Sequence, residues 1–431
     1  MQEINTMLWI IATVFLVSCG IFYTFKLHFI QFNFSKMFQS MKNKEEKRKD
    51  QISPFKTLTL ALAARIGVGS LAGIALGLYK GGIGIIFWVW LSALITIPNS
   101  FVESTLAVIF HEKGNKYFKG GPAYYISKGL GYKKLAVIYA IVIAFCYLGC
   151  FLSIQANTIS RCLLNYLNVP TLISGIIISV ISYIIISRGL SRISSFTSFL
   201  VPIMGIIYMV IATVIIILNI EMIPEILGMI IAEAFNFKAF GWGIISSIII
   251  GVQRGIFSSE AGIGTGAVAS GASESKNPCN QGYIQMLGIY FTSFVICTST
   301  AMIILTSNID ISSFTDPNGI EITLKALESH LGTFGIVVLI FLVITFAFST
   351  VVSGYYYGES NLRYLMRKRS SKMIKAIQIS AVIVLLYGSV ATPSILWNIA
   401  DIGVALLAII NTFAIFRLRN HVITEVCNDR E

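Results

Sequence analysis

Two stretches of this chain combine residue types that apolar sequence rarely tolerates. The first is Ala63-Ala64-Arg65-Ile66-Gly67-Val68-Gly69-Ser70-Leu71-Ala72-Gly73. The second runs from Gly251 to Gly266 and holds Gln253, Arg254, Gly255, Ser258, Ser259, Glu260, Gly262 and Gly264. Glycine tolerates backbone far from helical angles. A helix that unwinds inside a bilayer frees carbonyls and amides, and these persist there only against protein, ions or a wet cavity. Freed carbonyls suit a cation, and the amides of a half-helix N-terminus suit a carboxylate. Two other readings compete. Gly69, Gly73 and Gly77 at four-residue spacing also fit close helix packing. Gly67-x-Gly69 is a fragment of a nucleotide loop, but no strand precedes it.

The elements that hold these stretches follow from composition. Of 431 residues, 55% are apolar and 12% charged, with mean hydropathy +0.79. A soluble domain carries about twice that charge, so a soluble enzyme, a nucleic-acid-binding domain and a disordered chain are excluded. Apolar runs of about 20 residues are long enough to cross a bilayer as helices. Eleven spans are expected, at 7–25, 58–79, 84–109, 135–163, 169–187, 195–219, 241–270, 282–306, 333–361, 374–390 and 394–416.

The net charge of +12 reads as topology. Segment 26–56 holds eight basic residues, among them Lys44, Lys47, Arg48 and Lys49. Segment 110–134 holds six, including Lys116. Loop 362–373 holds Arg363, Arg367, Lys368, Arg369 and Lys372, and the tail holds Arg417, Arg419 and Arg430. With alternating spans these fall on one side. The opposite loops are acidic or neutral, with Glu221, Glu225 and Glu233 against Lys238, and Asp310, Asp316, Glu321 and Glu328 against Lys325. Basic loops lie inside, so the expectation is an outside N-terminus, a cytoplasmic C-terminus and a cell-membrane protein.

The remaining chemistry is sparse. Seven scattered Cys and four separated His offer no disulfide framework or metal spacing. No basic residue precedes run 7–25, which reads as a spanning helix rather than a signal. Leu16-Val17-Ser18-Cys19 only superficially resembles a lipoprotein cleavage site. Arg65, Glu103, Arg254, Glu260, Glu359 and Asp401 fall within spans, where charge is costly unless paired or wet. Arg254 and Glu260 flank the second glycine-rich stretch and are expected to pair across it. No nucleophile–base pair or paired intramembrane Asp occurs, so no enzyme and no organic cofactor is expected. A channel remains a minor alternative.

The two glycine-rich spans lie five spans apart, the spacing of a five-plus-five inverted repeat. Such a pair points to a transporter binding site. The residues also resemble a known family. The 63–73 block, Gly81-Gly82-Ile83-Gly84 with Trp88, Gly120-Gly121-Pro122-Ala123-Tyr124-Tyr125, Gln253-Arg254-Gly255 with Glu260-Ala261-Gly262, 281–288 and Tyr356-Tyr357-Gly358-Glu359 are similar, in order, to the conserved blocks of the sodium:alanine symporter family, the alanine or glycine:cation symporters. The likeness runs from about 55 to 415.

That resemblance implies an all-α membrane protein of LeuT-type fold. It would be one polytopic domain, 1–431, with an extra N-terminal helix at 7–25 and repeats at 58–219 and 241–416. It implies import of a small neutral amino acid, alanine or glycine, with Na⁺ as coupling ion, no nucleic acid and no obligate protein partner. Na⁺ ligands would be the carbonyls of Ala63, Ile66 and Phe346 and the hydroxyls of Ser349 and Thr350. The amino acid would meet the backbone of Gly67, Gly69, Ser70 and Leu71, with Gln155 a polar contact and Phe257 an apolar wall. The family commonly has Asn at 70 and 259, Pro at 83 and Trp at 354. Here Ser70, Ser259, Ile83 and Gly354 stand instead, and Gly354 with Ser353 implies a larger pocket. A carrier coupled to H⁺ through Glu103, Glu260, Glu359 or Asp401 is the alternative.

Overall fold

A computed structural model describes residues 2–42, 52–114, 117–235, 242–315, 317, 319–366 and 371–429. Lys44, Lys47, Arg48, Lys49, Lys116, Lys238, Asp316, Arg367, Lys368, Arg369 and Arg430 lie outside the described residues. What is described is helical apart from a two-residue hairpin, Glu112–Lys113 paired antiparallel with Phe118–Lys119. Among the described residues, eight helices are long and apolar enough to cross a membrane, or nine if one bent pair counts as a single span.

The chain opens with α1 (Gln2–Lys26) and a short amphipathic α2 (Phe34–Lys42). α3 (Pro54–Arg65) starts where its sequence dictates: Ser53 caps it by accepting from the Lys56 amide, and Pro54 occupies the first turn. α3 ends at Ile66, and the chain resumes through a π-helical turn, Gly69–Gly73, into α4 (Ile74–Gly81), bent by 48°. α5 (Ile85–Ile109) follows, then α6 (Pro122–Lys128). α7 (Lys133–Phe145) continues through a π turn into α8 (Leu152–Leu167). α9 (Thr171–Ile186), α10 (Leu190–Leu218) and α11 (Ile223–Ala234) complete the first half.

The second half repeats the theme of an early break. α12 (Trp242–Ser259) stops, and α13 (Thr265–Ser270) starts after five intervening residues. α14 (Pro278–Ile289) runs through a π turn into α15 (Thr298–Leu305). α16 (Ile320–Leu365) kinks at Gly332, where φ is 58°. α17 (Ser371–Val390), α18 (Pro393–Arg417) and α19 (Arg419–Asn428) finish the chain.

Each expected span has a helix at its place, but two fall short of the length and hydropathy that mark a crossing helix: α9, with sixteen residues, and the broken α12–α13. The expected loops 220–240 and 307–332 hold α11 and the start of α16. The inner wall is α3–α4, α5, α12–α13 and α14, with α16 against α3 and α8. α9 turns Leu172, Ile173, Ile176, Ile177 and Ile181 outward. An apolar exterior with buried polar groups inside fits a lipid solvent, where each backbone group must be satisfied internally.

α1 lies along α18 and is fastened to it in register. Trp9 Nε1 donates to the Asp401 carbonyl at 3.1 Å, and Tyr23 Oη donates to that of Ile415 at 2.7 Å. Cys19 is buried in the middle of this helix.

Candidate functional site

At the first break, Ile66 leaves helical geometry and Gly67 lies hard against α16. A Cβ on Gly67 would sit 2.2 Å from Thr350 Oγ1, so no other residue fits there without displacing Thr350. Around this point four predicted oxygens converge. Ser349 Oγ donates to the carbonyls of Ala63 at 3.1 Å and Phe346 at 2.8 Å. Thr350 Oγ1 donates to the same two carbonyls at 2.9 and 3.1 Å. Back-bonding to Phe346 is ordinary for Ser and Thr within a helix. Reaching across to Ala63, the last-turn carbonyl of α3, is not. Ile66 lies one residue beyond α3, fully buried, and its amide donates to the Leu62 carbonyl.

The π turn beyond the break is held by neutral groups. The Ser70 hydroxyl donates to the Gly67 carbonyl at 2.9 Å, and Thr300 Oγ1 donates to the Ser70 carbonyl at 2.9 Å. The Val68 amide donates to Gln155 Oε1 at 3.4 Å, so Gln155, expected as a polar contact for the amino acid, is bonded to the turn itself. The Phe257 ring covers the glycine side: a Cβ on Gly69 would meet it at 2.9 Å. Phe257 stacks on Phe151, which stacks on Tyr147, with interplanar angles of 11° and 9°. Leu71 is fully buried.

Gly354 faces the π turn that precedes α8. No open space replaces the bulky ring there, since a Cβ on Gly354 would lie 3.3 Å from Tyr147 and 3.7 Å from Leu152. Ser353 bonds back to the Ser349 carbonyl and is buried. Leu152 belongs to α8 and Tyr147 to the π turn before it.

The second break is built from charge and left-handed backbone. Glu260, Gly262 and Gly264 have φ of 55°, 81° and 92°, a region open to glycine and uncommon for a side-chain-bearing residue. Glu260 accepts from Tyr147 Oη and from Thr265 Oγ1. Glu103 Oε2 accepts from the Gly264 amide at 3.0 Å and from Asn411 Nδ2 at 2.7 Å; Asn411 Nδ2 also donates to the Gly262 carbonyl. Tyr139 Oη donates to the Ile263 carbonyl at 2.6 Å. Arg65 is buried between the two breaks, its guanidinium against Gly266 and Gly288, donating to the Gln285 carbonyl at 3.2 Å.

The expected Arg254–Glu260 pair is not made. Arg254 Nη2 donates to Asp401 Oδ2 at 2.6 Å, from α12 to α18, and both side chains are buried. The guanidinium lies over the rings of Phe257 and Trp397, 5.5 and 5.4 Å from their centroids. Five helical residues stand between Arg254 and Glu260, and Glu260 itself has left the helix with φ of 55°, so the two side chains are turned to different faces. Glu359 pairs with Arg363 along α16. Glu103, Tyr139, Tyr147 and Asn411 were not anticipated as supports of the second break. A carboxylate or carboxamide inside an apolar span was the available signal.

This arrangement, two interrupted helices flanked by buried oxygens inside an apolar helical shell, defines the fold of a secondary transporter. It superposes on MhsT in its complex with L-phenylalanine with a TM-score of 0.63 and 17% identity, covering 86% of this chain and 89% of that one. The family model of the sodium:alanine symporter family matches residues 1–429, and the chain belongs to that family. It is a membrane transporter and not an enzyme. It is 37% identical to the amino-acid carrier protein AlsT of Bacillus subtilis over 415 residues, 96% of this chain and 88% of the relative. It is also 37% identical to the probable sodium/glutamine symporter GlnT of the same organism, over 97% of this chain and 88% of the relative.

Proposed function

We propose that this chain imports a small neutral amino acid together with Na⁺ by alternating access. The reading includes eleven spans in a five-plus-five inverted repeat with α1 as the extra helix, repeats at 58–219 and 241–416, and the C-terminus in the cytoplasm. No organic cofactor takes part; Na⁺ is a cargo. The observation that carries it is the meeting of Ser349 and Thr350 with the carbonyls of Ala63 and Phe346. A hard cation favours such neutral oxygens. Na⁺ would exchange for the hydroxyl hydrogen bonds and draw α3 and α16 together, with the Ile66 carbonyl as a further ligand.

The amino acid would lie beside it, its carboxylate toward the backbone of Gly67, Gly69, Ser70 and Leu71 and its side chain toward Phe257, Ser353 and Gly354. Gln155 holds the turn in shape from Val68. The buried Arg254–Asp401 pair, with Trp397 and Phe257 beneath it, supports a closure on one side of this site.

Alanine and glycine are the first substrates to test. A larger side chain is the second reading, supported by the name of the GlnT relative. Proton coupling through Glu103 or Glu260 is its counterpart for the ion. Radiolabelled alanine uptake into proteoliposomes, with an inward Na⁺ gradient and with Na⁺ replaced by choline at fixed and at imposed pH gradients, tests all three. Uptake driven by Na⁺ alone, blocked by unlabelled alanine and glycine, is expected. Uptake that follows a pH gradient in choline would overturn Na⁺ coupling, and uptake of labelled glutamine but not of labelled alanine would move the substrate.

A further inference from the structure

We propose that the groove between α3, α10 and α14 is a binding site for an acyl chain of an anionic phospholipid, with the headgroup at its Lys56 end. The groove encloses about 550 Å³ and is walled by Leu58 and Leu62 of α3, Gly205 and Met209 of α10, and Leu287 and Phe291 of α14 and the turn that follows. Its lining is almost wholly apolar, and Phe38, Phe55 and Ile206 along it face outward. A concave apolar slot open to the bilayer takes a chain, where a flat face would take only bulk lipid.

Charge at one end selects the headgroup. Lys56 Nζ donates to Ser195 Oγ at 3.3 Å and so bridges α3 to α10 beyond the apolar walls. Lys42 ends α2 one turn after Phe38, and Arg192 stands one turn before Ser195 on α10. Basic groups at a membrane surface attract anionic lipid, by about 1 kcal/mol each, whereas a choline headgroup gains nothing from them.

The groove also touches the transport machinery from behind. Leu58 and Leu62 belong to the helix whose next residue, Ala63, presents its carbonyl to Ser349 and Thr350. Gly288, on the opposite wall, has Arg65 Nη1 packed on it, 2.7 Å from where a Cβ would be. A chain in the groove therefore props α3 at a fixed distance from α10 and α14, and its loss lets the first half-helix shift.

The test is photolabelling of the purified full-length protein in nanodiscs. Two phospholipids with the same diazirine-bearing acyl chain are compared, one with a glycerol and one with a choline headgroup. The expected result is labelling concentrated in peptides of α3, α10 and α14, with the glycerol lipid preferred. Gly205→Trp fills the slot and abolishes that labelling. Gly205→Leu does so in part; a Cβ at 205 meets nothing closer than 3.7 Å, so this smaller change leaves the fold intact. Lys56→Gln lowers the headgroup preference about fivefold, the equivalent of one basic contact. Labelling spread evenly over all outward helices, or unchanged by both Gly205 variants, overturns the site. Equal labelling by the two lipids overturns the headgroup assignment, and a crosslinked second copy at these peptides makes the groove a dimer interface. The readout is independent of transport, so its failure leaves the proposed cargo standing.

Discussion

The two breaks solve the same problem with opposite chemistry. The first, at Ile66 and Gly67, is held by neutral groups: hydroxyls of Ser70, Thr300, Ser349 and Thr350 and the Gln155 amide. The second, from Glu260 to Gly264, is held by its own Glu260 carboxylate and by a carboxylate, two tyrosines and a carboxamide reaching in from other helices. Neutral hydrogen bonds contribute about 1 kcal/mol each and those to charged groups about twice that. The first break is therefore the one whose contacts a cation can displace at low cost. The second is a fixed frame.

The largest effect should come from removing the frame. Glu103→Ala strips the partner from the Gly264 amide and from Asn411, both buried. Two charge-assisted bonds at roughly 1.5–3 kcal/mol each make this a loss of about 3 kcal/mol or more. Thermal unfolding in detergent should show it with and without Na⁺. A variant as stable as the parent would mean that the second break holds itself.

Next comes the first break. Thr350→Val keeps the shape and removes the hydroxyl that reaches Ala63. Stability should change by about 1 kcal/mol, while the Na⁺ concentration for half-maximal uptake rises about tenfold, the loss of roughly 1.4 kcal/mol of ion binding. Thr350→Ser restores it. If the two substitutions trade places, with stability lost at 350 and ion affinity at 103, the contrast between the breaks is inverted.

The sequence made both breaks legible because glycine density and charge inside an apolar run are local signals. Ser349 and Thr350 became legible only through the family likeness, since nothing in their own turn distinguishes them from back-bonded hydroxyls. The frame was not legible: Glu103, the pair Tyr139 and Tyr147, and Asn411 come from three helical spans far apart in the sequence, and their meeting is a property of packing. The Arg254–Glu260 expectation failed for the same reason. Proximity in sequence suggested a partner, while the helix turned Arg254 toward Asp401, 147 residues away.

Tyr147 joins the two regions, and the effect expected on transport is the smallest of the three. Its hydroxyl serves Glu260 in the frame, while its ring stacks on Phe151 and faces Gly354 on the substrate side. Tyr147→Phe removes only the bond to Glu260, which keeps Thr265, so the expected stability loss is about 1–2 kcal/mol. The untethered ring can then move off Gly354. Competition of alanine uptake should shift toward longer side chains such as glutamine, with Na⁺ dependence unchanged. Gly354→Ala, whose Cβ presses on the same ring at 3.3 Å, should narrow the range instead. Should both variants keep the parental order of competitors, the ring is a strut of the frame alone and pocket size is set elsewhere.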